Sequence, residues 1–148
     1  MVSAEPHLAL PQLAQRHLRI GWWSLLLFLT MGVVLEALHG FKLGYYLDVS
    51  NSTRRHMWTL CHAHGTLLSI LHIAFAVSLG LLGRPRPALI GWASSCLSAS
   101  TALLPGGFFL GGLYIYGGDP GLGIVLVPLG ALALAAAVAL TAWMTRSS

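Results

Sequence analysis

The chain has 148 residues, 56% of them hydrophobic and only 8% charged, with a formal net charge of +4 and a mean hydropathy of +0.76. Soluble domains carry about a quarter charged residues, so this balance excludes a soluble globular protein and predicts an integral membrane protein. The lysines and arginines form no cluster able to grip nucleic acid; they stand at the ends of apolar runs, where they set orientation.

Residues 1–18 read as a tail. Pro11 interrupts the apolar spacing between His7 and Arg19, so this stretch is expected to be at most an interfacial helix. The apolar run that follows starts too late and extends too far for a cleaved signal peptide. Four spans are predicted over about 20–40, 57–82, 88–112 and 122–144, forming one domain over 1–148. The fold class is all-α, a four-transmembrane-helix bundle.

The first span opens with Trp22 and Trp23, residues suited to a membrane interface. The loop after it holds Lys42, Tyr45, Tyr46 and Asp48. Ser50, Asn51, Ser52 and Thr53 supply capping side chains, which places the start of the second helix near Thr53. Arg84-Pro85-Arg86-Pro87 predicts a tight turn. Pro105-Gly106-Gly107 predicts a kink or break in the third helix, because proline removes a backbone bond and clashes one turn back. Gly117-Gly118-Asp119-Pro120-Gly121 reads as a turn before the last span. Small residues such as Gly91, Ser94, Ser98, Ala102, Gly130 and Ala135 let spans three and four pack closely in lipid.

Arg16, Arg19, Arg84, Arg86 and Arg146 fall on one side of this arrangement, and Lys42, Arg54 and Arg55 on the other. The excess places both termini in the cytoplasm, by expectation of a bacterial inner membrane. Cys61 and Cys96 are predicted at depths too different for a disulfide.

Histidines mark the candidate site. Arg55-His56-Met57-Trp58-Thr59-Leu60-Cys61-His62-Ala63-His64-Gly65 enters the second span with His72 further in, and the first span ends in Glu36-Ala37-Leu38-His39. Intramembrane polar groups are costly and are functional candidates for that reason. Antiparallel spans place Glu36 level with Cys61, Leu35 with His62 and His39 beside Trp58. Glu36 and His39 share a helix face. His62 and His64 stand about 200° apart around theirs, so they should address different neighbours.

Three readings follow. In the first, His39 with His62 or His64 binds heme b, or Glu36, His39, His62 and His64 bind a mononuclear metal such as copper, zinc or iron, with His56 and His72 secondary; the role is redox-associated. A di-iron site is excluded, because such sites draw carboxylates from several helices and only Glu36 is available. In the second, no cofactor is bound, Glu36 pairs with a histidine or Arg55, and the chain is a non-catalytic accessory subunit with a hydrogen-bonded histidine layer. In the third, the cluster belongs to a proton or ion relay, although nothing titratable continues from His72 toward the cytoplasm. The expected partners are the lipid bilayer and further subunits, either copies of this chain or a larger membrane complex. No nucleophile triad, phosphate loop or paired carboxylate supports hydrolase or kinase chemistry.

His64-Gly65-Thr66-Leu67-Leu68 resembles the His-Gly stretch on the second helix of heme–copper oxidase catalytic subunits, where the histidine binds the low-spin heme. The resemblance covers five residues, implies heme ligation by His64, and is not accompanied by that family's later histidine motifs or its dozen spans.

Overall fold

The computed structural model of the chain describes residues 10–48, 51–81 and 86–146. Four long helices dominate it: α1 (Leu10–Gly40), α2 (Thr53–Leu81), α3 (Pro87–Leu113) and α4 (Leu126–Arg146). A 3-10 turn over Leu122–Val125 leads into α4. All four, α4 taken with that turn, are long and apolar enough to cross a membrane. Between α3 and the turn lies an antiparallel pair of two-residue strands, β1 (Ile115–Tyr116) and β2 (Asp119–Pro120). Gly117 and Gly118 join them at φ of 58° and 102°, which is the glycine-favouring geometry of a tight hairpin.

The first helix starts earlier than the sequence reading expects. The described helix starts at Leu10 and runs through Pro11 without a break, so Pro11 does not interrupt it and His17 is carried into the bundle. Residues 1–9 of the expected tail lie outside the described residues, as do Ser50, the Leu82 end of the second span, and Arg84 and Pro85 of the expected turn.

The second helix begins at Thr53, as its capping residues predict, and the Asn51 side-chain oxygen accepts the Thr53 N–H at 2.9 Å. The third runs through Pro105, which is buried; of the kink or break expected there, the break is absent. Pro105 has no N–H to offer the Thr101 carbonyl four residues earlier. Arg54 ties the start of α2 to the end of α3. Its Nε donates to Gly112 O at 3.0 Å and its Nη1 to Tyr45 O at 2.9 Å, while the guanidinium lies 3.9 Å from the Tyr45 ring centre.

The middle of the bundle is α2 and α3, with nine and eleven buried residues against five on α1 and three on α4. Leu68, Phe75, Ala93, Leu97, Leu104 and Phe108 make the core between them. Outward faces stay apolar, with Leu27, Val33, Leu132 and Val138 exposed.

Two glycines set the register of α1 on α2. A Cβ at Gly32 would stand 2.5 Å from His62 Cε1, and one at Gly65 would overlap the Phe28 ring. The rings therefore pack directly on backbone, and Met31 Sδ meets the Cys61 thiol at 3.7 Å. Gly32 thus faces His62 where the sequence reading expects Leu35, a shift of three residues or about 4.5 Å along the axis. Both cysteines are free.

Candidate functional site

The predicted site residues divide between an open groove and a closed core. The groove lies where α1 ends and α2 begins. Glu36 and His39 enter it from α1, Tyr46 and Ser52 from the connection, and Arg55, His56, Thr59 and His62 from α2, around a volume of about 480 Å³. A second volume of about 550 Å³ adjoins it and shares His39, Ser52 and Arg55. Glu36, His39 and His56 are exposed. The expected pairing of Glu36 with Arg55 or an imidazole is not formed, and neither side chain bonds to any described residue.

His62 reaches back across α1. Its Nδ1 donates to Phe28 O at 2.7 Å, the approach that Gly32 permits. That bond fixes the tautomer and leaves Nε2 as a lone-pair acceptor. His64 turns away from the groove. Its Nδ1 donates to Leu60 O at 2.9 Å and its ring lies 4.9 Å from that of Phe108 on α3. The two histidines address different helices, as their angular separation predicts. Among the described residues, no three of His, Cys, Asp and Glu lie close enough to hold a metal ion.

His72 has a partner that the sequence reading placed in the tail. His17 of α1 and His72 of α2 are both fully buried, with their Nδ1 atoms 2.6 Å apart and ring centres 4.8 Å apart. His17 Nε2 meets Ser94 Oγ at 2.8 Å, and His72 Nε2 meets Thr101 Oγ1 at 3.0 Å. Phe75 closes on the His17 ring edge-on at 4.8 Å. Four polar groups on three helices thus form one chain inside an apolar core.

Proton counting gives that chain a direction. Thr101 Oγ1 donates to Leu97 O at 2.9 Å, so it must accept from His72 Nε2–H. His72 Nδ1 then has only a lone pair and accepts from His17 Nδ1–H. His17 Nε2 in turn accepts from the Ser94 hydroxyl. With both imidazoles neutral, all four ring nitrogens are satisfied and every bond points from Ser94 toward Leu97. Such complete satisfaction is what a buried polar network requires.

The sequence signal for His17 was available and outweighed. His17 stands four residues before Gly21, whose absent side chain lets α1 approach Ser69, His72 and Ile73; Pro11 was read against it. The chain matches no protein-family model, no curated protein and no solved structure. The likeness to heme–copper oxidases therefore rests on its five residues alone.

Proposed function

We propose that this chain is a non-catalytic structural subunit of a membrane complex, in which buried histidines lock three helices together. Its four helices cross a bacterial inner membrane with both termini in the cytoplasm, and α3 bends at Pro105. Trp92 and Tyr114 are exposed at opposite ends of α3, 22 residues or about 33 Å apart, close to the ~30 Å hydrocarbon thickness. The observation that carries the structural role is the closed chain Ser94–His17–His72–Thr101, whose ring nitrogens are all engaged within the protein. In lipid, hydrogen bonds between helices hold a bundle that the hydrophobic effect does not.

Membership of a complex is supported by α1. Arg16 and Arg19 are exposed on it beside His17, and a guanidinium close to the hydrocarbon edge needs an anionic or polar neighbour. A partner helix or headgroups supply better ones. Native electrophoresis in mild detergent tests this: the chain should migrate in an assembly larger than one copy, and Arg16→Ala with Arg19→Ala should shrink it. Migration as a monomer in both cases would remove the complex from the proposal.

A second reading keeps a cofactor in the groove. It is favoured by His62, whose Nδ1–H is held by a backbone carbonyl while Nε2 is free, the arrangement typical of metal-ligating histidines. Heme b or one copper, zinc or iron ion would then take His62 with Glu36 or His39. Elemental analysis of tag-free protein decides it: a stoichiometric metal lost in His62→Ala supports this reading, and background levels in folded protein remove it.

A further inference from the structure

Between the level of the buried pair and that of the groove, α2 carries two hydroxyls, Thr66 and Ser69. His62, Thr66, Ser69 and His72 fall on one side of that helix, separated by about 6, 4.5 and 4.5 Å along the axis. Ser69 is fully buried and donates to Gly65 O at 2.7 Å. Thr66 Oγ1 is also buried, yet it has no partner among the described residues. Ser98 Oγ, on α3 between the Ser94 and Thr101 contacts to the pair, is in the same condition. Buried hydroxyls are nearly always partnered, and water is the usual partner when protein supplies none. One such atom therefore stands beside the histidine pair and another between the pair and the groove.

From these placements we infer that the protein conducts protons across the membrane. The route runs from Ser94 through His17, His72, Thr101 and water held at Ser69 and Thr66 to His62 and the Glu36 groove. Ser94 lies two residues, about 3 Å along the axis, from Trp92, which is 67% exposed and which the orientation proposed above puts at the inner interface. Glu36, His39 and His56 stand exposed at the other end. The route thus covers the full thickness, and His17 is the residue that completes it.

Each passage balances. A proton arriving from the inner side replaces the one that Ser94 gives to His17 Nε2. His17 passes its Nδ1 proton to His72 Nδ1, and His72 releases its Nε2 proton to Thr101 Oγ1, whose own proton, held by Leu97 O at rest, leaves when the hydroxyl turns to water on the groove side. Both rings end neutral in the opposite tautomer and reset by turning, together with the Ser94 and Thr101 hydroxyls, before the next proton enters. Nothing is oxidised or reduced, and bulk water is donor on one side and acceptor on the other. This activity goes beyond the structural role proposed above, which is read from stability and assembly, not from flux.

The test is proton flux into vesicles containing the full chain, with a trapped pH-sensitive dye and a potassium diffusion potential. Wild-type protein should carry protons at least fivefold faster than protein-free vesicles. His72→Gln should return the rate to that background. Thr66→Val, which keeps shape and leaves the histidine pair intact, should lower it about tenfold with no change in melting temperature. A wild-type rate equal to that of empty vesicles overturns the inference, as does an undiminished rate in both variants. Loss in His72→Gln with full flux in Thr66→Val overturns the route through α2.

Discussion

Replacing His17 and His72 by leucine, singly and together, tests the central contact quantitatively. His72→Leu keeps the volume roughly constant but strands the His17 Nδ1–H in an apolar core and frees Thr101 from one bond. An orphaned buried donor costs about 1–3 kcal/mol, so the single variant should lose about 2 kcal/mol. His17→Leu strands His72 Nδ1 and Ser94 in the same way and should lose a similar amount. In the double variant no imidazole is left unpaired, and Thr101 already donates to Leu97 O. The double loss should therefore fall short of the sum by about 1 kcal/mol, inside the range of ~0.6 on average to ~1.7 at most found for hydrogen-bonded pairs within membranes. That is about fivefold in the folding equilibrium. The assay is reversible unfolding by SDS in mixed micelles, with helicity as the signal, arranged as a double-mutant cycle. Strictly additive losses would refute the hydrogen-bonded pair, and so would a double variant weaker than the sum.

The close approaches make further predictions. Gly32→Val should drive the His62 ring off Phe28 O, and Gly65→Val should collide with the Phe28 ring; each should cost more than about 2 kcal/mol by overpacking in the same unfolding assay. Arg54→Ala should lower the melting temperature by loosening the last turn of α3, and Arg54→Lys should not restore it, because one ammonium cannot reproduce the two-carbonyl fork on Gly112 and Tyr45. Cys61, 3% exposed, should resist maleimide in folded protein and react after SDS unfolding, whatever the state of Cys96; rapid labelling of Cys61 in mild detergent would contradict the α1–α2 packing.

Much of the architecture was legible because its signals are local. Four apolar runs of membrane length, the Asn51-to-Thr53 cap and the Gly117-Gly118 turn each depend on a few neighbouring residues, and each is present. Pro11 was misread because proline is neutral or disruptive according to its place within a helix, and residue type alone does not give that place. At Pro105 the sequence leaves kink and break open, and the break is excluded by α3, with neighbours on two sides, continuing past it.

The histidine cluster divides along the same line. Composition alone established that imidazoles stand in an apolar chain, and helical spacing alone sent His62 and His64 to different neighbours. Which histidines meet was decided by tertiary packing. The close contacts at Gly32 and Gly65 slide α1 by nearly a turn against α2, and α1, continuing through Pro11, sets His17 against His72 across 55 positions of sequence. Periodicity reports which face a residue occupies on its own helix; the pairing of two faces depends on how closely backbones approach, and that belongs to the assembled bundle.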